Sequence, residues 1–107
     1  MIKVYMKTRN GANAEGIYDE INKELTVIKG SKVSSTVSSS QSFRGRDSII
    51  KSRAENCDRK GFVKQDVVFK SSSTAANFVN GNSSNGFRTW KTESGQMLKD
   101  YLADNVN

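Results

Sequence analysis

Apolar and polar residues alternate strictly from Ile2 to Lys7. Ile2, Val4 and Met6 fall on one side of the chain; Lys3, Tyr5 and Lys7 fall on the other. This two-residue period predicts a half-buried β-strand. Asn10-Gly11-Ala12-Asn13 reads as a loop. Between Gly16 and Ile21, the residues Ile17, Asp19 and Ile21 share a face, which predicts a second strand, and Asn22-Lys23 offers a tight turn. Leu25-Thr26-Val27-Ile28-Lys29 is rich in β-branched residues and predicts a third. Short connections between the three point to an antiparallel meander.

Gly30 ends this region, and the pattern changes. Eight of the twelve residues from Ser31 to Ser42 are Ser or Thr, with only Val33 and Val37 apolar, so little of the segment is expected to be buried. It reads either as a mobile surface loop or as a loop that contacts phosphate. Phe43, Ile50, Ala54 and Cys57 recur at helical spacing and predict a helix over 43–57, with Arg46, Arg53 and Lys60 along one flank and Gly61 as its stop. Phe62-Val63 and Val67-Val68-Phe69 are short β-like pieces. Ser71 then offers an N-cap, Ala75, Phe78 and Val79 stand at i, i+3 and i+4, and Gly81 suits a left-handed stop. Asn82–Gly86 is a loop ending in an Asn-Gly turn signal. Phe87–Lys91 reads as a strand with Arg88 and Trp90 on one face, and Leu98, Tyr101 and Leu102 predict a final short helix. The expected fold is one α+β domain over residues 1–107, an antiparallel sheet with about three helices, with a polar tail at 103–107.

Composition removes several chemistries. The 107 residues include no histidine and one cysteine. Ser-His-Asp and Cys-His catalysis, imidazole metal ligation and an intrachain disulfide all go with them. No carboxylate cluster suggests a hard-metal hydrolase, so the reading is non-catalytic, with no metal and no cofactor. Cys57 reads as a small buried hydrophobe or, less simply, as a reactive thiol. No apolar run approaches the ~18 residues of a membrane span. Residues 1–5 alternate where a signal peptide would carry an apolar block, so a cytoplasmic, membrane-free protein is expected.

Charge adds a location. The net charge is +6. Residues 1–28 hold four bases and four acids, and residues 71–107 hold three of each. The whole excess lies in residues 29–70, where ten bases face four acids, and from Leu25 to Arg46 there is no acid. Such asymmetry points to a polyanionic partner, although a basic surface also serves solubility. Lys29, Ser31, Lys32, Arg44, Arg46 and Arg53 are the candidate backbone contacts there.

Two segments carry a resemblance. Val27-Ile28-Lys29-Gly30-Ser31 is one; the other runs from Phe69-Lys70-Ser71-Ser72-Ser73-Thr74-Ala75-Ala76 through Val79-Asn80-Gly81-Asn82-Ser83-Ser84-Asn85-Gly86 to Trp90-Lys91, Gly95 and Leu98. Together they resemble a small bacterial domain of unknown function. That domain often sits at the C-terminus of proteins with a GIY-YIG nuclease domain and in proteins near restriction–modification systems. It is similar to the restriction-enzyme adenine-methylase-associated domain, proposed to bind DNA, with modified DNA among the candidates. The resemblance covers most of residues 1–102. This chain has Ser71-Ser72-Ser73 where the family usually has Ser-Pro-Ser, and it carries Phe87 where relatives often have a larger or more polar aromatic.

The signature segment adds candidates. Ser71, Ser73 and the free amides of a helix N-terminus suit a phosphate, or they only cap the helix. Trp90 stacks on an exposed or flipped base, or fills the core. Asn85 suits a base-edge contact, or Asn85-Gly86 is a structural turn; Arg88, on the face of Trp90, joins the nucleic-acid-binding candidates. The resemblance and the charge together imply a DNA-binding accessory domain working with a nuclease or methylase partner. The alternative is a protein-interaction or structural domain.

Overall fold

The computed structural model describes residues 1–105. Four strands form one antiparallel sheet in the order β1 (Ile2–Lys7), β2 (Asn13–Asp19), β3 (Glu24–Val27), β4 (Val67–Phe69). Four helices follow the meander: α1 (Arg46–Asn56), α2 (Ser72–Asn80), α3 (Gly86–Thr89) and α4 (Leu98–Asp104). The α+β class is as expected. Residues 106–107 of the expected polar tail lie outside the described residues; 103 and 104 close α4.

One face of the sheet makes the core. Ile2, Val4 and Met6 of β1, Ala14, Gly16 and Tyr18 of β2, Leu25 and Val27 of β3 and Phe69 of β4 all point inward. The register places them in rows, for example Val4 opposite Gly16 and Gly16 opposite Val27. Helix α2 lies on this face and buries Ala75, Ala76, Phe78 and Val79. Phe78 meets Phe69 with ring centroids 4.9 Å apart.

The phase of β2 differs from expectation. Ile17 faces outward and Ile21 is 90% exposed, because the strand begins at Asn13 and ends at Asp19. Asp19 closes the turn, its Oδ1 accepting from Ile21 N and Asn22 N. The small residues Ala14 and Gly16 hold the inward face and make room for close packing, so the bulkier Ile17 misleads a simple count.

Helix α1 also runs on a different stripe. It starts at Arg46, and Ile49 is its buried apolar residue, while Ile50 and Ala54 are exposed. Arg53, rather than Ala54, turns toward the body of the protein. The predicted strand at Phe87–Lys91 is instead the four-residue helix α3, after which Lys91 bridges Tyr5 of the β1 edge and Met97. Asn85 accounts for this: its side chain accepts from Phe87 N, so the chain coils at Gly86 instead of extending.

The Ser-rich segment divides. Ser31, Val33 and Ser34 are buried, whereas Ser39 to Ser42 are exposed. Lys32 exchanges backbone hydrogen bonds with Asn13, Val33 N donates to Gly61 O, and Ser34 N donates to Val79 O. Residues 30–34 are therefore strapped between β2, the 57–63 turn and α2. Low hydropathy hides this because the burial is achieved by hydrogen bonding.

Candidate nucleic-acid interface

The candidate residues fall into two places, one at each end of α2. Nine helical residues separate those ends by about 13 Å.

At the N-terminal end, the signature residues lock helices together. Ser71 caps α2 by accepting from Thr74 N at 3.0 Å, from extended backbone at φ −150° and ψ 155°. Ser73 Oγ accepts from Gly86 N at 2.9 Å. Trp90 is fully buried, and its indole N–H donates to Ser72 O at 3.1 Å. Gly86 is pressed against α2: a Cβ there would lie 2.2 Å from Ser72 C and 2.5 Å from Ser73 N. Only glycine fits such an approach. Base stacking by Trp90 is corrected by this geometry, since no face of the ring reaches solvent. A phosphate on the first turn of α2 is corrected likewise, because Gly86 and the Ser71 hydroxyl already occupy it. Asn85 caps α3, and Arg88 is exposed on that short helix.

At the C-terminal end of α2 the picture is electrostatic. An open cleft of about 510 Å³ runs between residues 32–35 and the end of α1 with its following turn. Lys32, Arg53, Arg59 and Lys60 line it, against a single acid, Asp58. Val33, Ala54 and Cys57 supply an apolar wall.

The turn that carries Arg59 and Lys60 is built by its own sequence. Asp58 N donates to Phe62 O and Gly61 N to Asp58 O, and Cys57 bridges Val63. Asp58 Oδ1 accepts from both Lys60 N and Phe62 N at 2.9 Å. Those amide donors, Phe62 first, hold the Asp58 carboxyl below its ordinary range. The hairpin thus projects two cations at its tip. Lys32 approaches from the facing segment, its Nζ 5.6 Å from the centroid of the Phe62 ring.

Arg53 holds the floor. Nε donates to Phe78 O at 2.8 Å, Nη1 to Ser34 O at 3.0 Å, and Nη2 to Ser34 Oγ at 2.9 Å and Val79 O at 3.1 Å. The guanidinium therefore satisfies carbonyls at the end of α2 that the helix itself leaves open. Gly81 makes room for this: it sits at φ +80°, and a Cβ would fall 2.2 Å from Thr36 O and 3.2 Å from Arg53 Nη2. Burial lowers the Arg53 pKa, with the Cys57 thiol opposing. Among the described residues no carboxylate lies within 4.0 Å of Lys32, Arg53, Arg59 or Lys60; the ion pairs are Lys3–Glu15 and Arg46–Asp47. The expectation that Arg53 is a free flank contact is corrected to a structural one, its charge facing the cleft but its hydrogen bonds largely spent. Burial also pushes the Cys57 thiol up, so it stays protonated at neutral pH.

The remaining candidates lie apart. Lys29 and Ser31 border a smaller depression with Tyr5, Asn13, Glu15 and Ile28. Ser31 is buried there, its hydroxyl paired with both backbone groups of Glu15, which makes it a structural residue. Lys29 is exposed, its backbone N–H donating to Asp66. Arg44 is exposed before α1, and Arg46 Nε donates to Ser38 O at 3.0 Å. Sequence spacing singles out Lys60 only as part of the flank with Arg46 and Arg53, and Arg59 not at all. The Asp-Arg-Lys-Gly turn signal was legible, but its position across from Lys32 depends on pairing 57–63 with 30–33.

No helix among the described residues is long and apolar enough to cross a membrane. No curated protein and no solved structure matches the chain. The family described as Domain of unknown function (DUF4357) matches residues 4–102, a span that takes in the sheet, the cleft and the helix lock. On that match the chain belongs to the family.

Proposed function

We propose that this chain is a non-catalytic DNA-binding accessory domain, and that its contact surface is the basic cleft formed by Lys32, Arg59 and Lys60 over Arg53. The observation that carries the reading is the convergence of these four cations, from three separate stretches of sequence, with one acid among them and no carboxylate paired to any of them among the described residues. Surplus charge of this kind is suited to phosphates, which supply affinity without reading sequence. Arg44 and Lys29 extend the basic surface as exposed residues. The residues of the helix lock leave the binding role to this end of the molecule. The resemblance to domains that accompany GIY-YIG nucleases and restriction–modification systems supports a nuclease or methylase as the working partner, in the cytoplasm, with plain or modified DNA as target.

Fluorescence anisotropy with a short labelled DNA tests the reading. Affinity should fall steeply with salt, and Lys32→Glu/Arg59→Glu/Lys60→Glu should weaken low-salt binding about 100-fold and flatten the salt dependence by roughly two to three in log–log slope, about 0.9 per lost contact. Parent-like binding by this variant would end the proposal.

A protein-interaction reading has one observation in its favour. Among the described residues no helix covers the outer face of the sheet, which presents Val68 at 59% exposure in a row with Thr26 and Ile17. Recovery of a partner that Val68→Lys abolishes, with no DNA retardation, would favour it.

A further inference from the structure

Resting on the nucleic-acid reading above, we infer that the cleft takes one unpaired nucleotide, so that the domain prefers single-stranded or bulged DNA to a fully paired duplex. Three observations lead there. The first is size: the open cleft holds about 510 Å³, within the ~300–1,000 Å³ of small-molecule clefts and more than a row of surface charges needs. The second is the division of its lining. Lys32, Arg59 and Lys60 carry the cations, while Val33, Ala54 and Cys57 form an apolar wall. A nucleotide has the same division, an anionic phosphate on one side and a flat, largely apolar base on the other. The third is Phe62, beside the cleft and 39% exposed, an aromatic surface next to the Lys32 ammonium.

A paired duplex is convex, and its bases are stacked inside. It can reach the cations but cannot enter the cleft. An unpaired nucleotide can place its phosphate among Lys32, Arg59 and Lys60 and its base on the apolar wall. The Arg53 guanidinium adds a fixed positive charge to the lining. Asp58 is the one acid there, and its carboxylate is already held by two backbone amides of the turn.

The test compares three labelled DNAs of one sequence at one salt concentration: single-stranded, fully paired, and paired with a one-nucleotide bulge. The single-stranded and bulged forms should bind about tenfold or more tightly than the paired form. Ala54→Trp, which fills the cleft from an exposed helical position, should abolish that difference. Cys57 is the only cysteine and lines the cleft, so its alkylation by iodoacetamide at alkaline pH, where the thiol ionises, reports on the cleft; saturating single-stranded DNA should slow it about tenfold. Equal affinity for paired and single-stranded DNA would overturn the inference while leaving the basic-surface reading in place. So would an undiminished preference in Ala54→Trp, or alkylation unchanged by bound DNA. Failure of all three DNAs to bind would overturn both.

Discussion

The two ends of helix α2 use polar residues in opposite ways. At its N-terminus Ser71, Ser73 and Trp90 spend their hydrogen bonds inside the protein, and Gly86 supplies the missing side chain that lets two backbones touch. At its C-terminus one half-buried cation, Arg53, closes the helix, and the half-buried Lys32 with the exposed Arg59 and Lys60 keep their charge for something else. The segment richest in recognisable motif is thus the structural one. The turn with little motif beyond Asp-Arg-Lys-Gly is the one with unspent chemistry. A motif is a statement about what a position requires, and close backbone packing requires as much as catalysis does.

The lock breaks most severely at Gly86. Gly86→Ala forces a Cβ into the Ser72–Ser73 peptide and should cost about 3 kcal/mol or more, seen as a lowered urea midpoint. Binding by the fraction still folded should match the parent, since the cleft is at the far end of α2. A parent-like midpoint would show that the lock is loose.

Arg53 tests the other end. Arg53→Ala leaves the carbonyls of Phe78 and Ser34 without their donor and Val79 O with Ser34 N alone, at about 2–3 kcal/mol. Arg53→Lys keeps the charge but loses the planar fork, and should recover only part of that stability while recovering most of the DNA affinity. If Arg53→Lys restored stability fully and affinity not at all, the division of labour drawn here would be reversed.

Acid titration separates the turn from the charges it displays. Asp58 has a folded pKa below its unfolded one, so its stabilising contribution is complete above the ordinary carboxylate pKa near ~4 and is lost as pH falls through the lower folded value. Asp58→Asn keeps an oxygen for the Lys60 and Phe62 amides but cannot ionise. Its stability should decline less between pH ~4 and ~2 than the parent's, and at neutral pH, with the one acid gone from the cleft, it should bind DNA a few-fold more tightly at low salt. An unchanged acid limb would mean the Asp58 contacts contribute nothing to the fold.

What was legible in the sequence follows from range. The strand at Ile2–Lys7, the Ser71 cap, the Gly81 stop and the α4 helix depend on residues a few positions apart, and local pattern is enough for these. The phase of β2 was not, because Ala14 and Gly16 face inward as a consequence of α2 lying above them. The stripe of α1 was misread because Arg53 occupies an inward position that an apolar count assigns to Ala54. Ser31 and Ser34 looked soluble because their burial rests on partners at Glu15, Val79 and Asn80. The basic segment was visible as composition. The cleft, with Arg59 and Lys60 brought opposite Lys32, exists only once 57–63 pairs with 30–33.

The smallest effect bears on Ser72, one of the two departures from the domain the chain resembles. Position 72 is the first residue of α2, where a proline's fixed φ suits the helix and its missing N–H is not needed. Proline also demands that the residue before it be extended, and Ser71 at φ −150° and ψ 155° already is. The Trp90 indole bonds to the Ser72 carbonyl, which proline keeps. Ser72→Pro should therefore raise stability by about 0.4–1 kcal/mol, chiefly by narrowing the unfolded ensemble, with DNA affinity and salt dependence unchanged. A loss of stability would mean that the pyrrolidine ring meets Gly86, and that the lock in this chain is drawn tighter than the family's usual Ser-Pro-Ser allows.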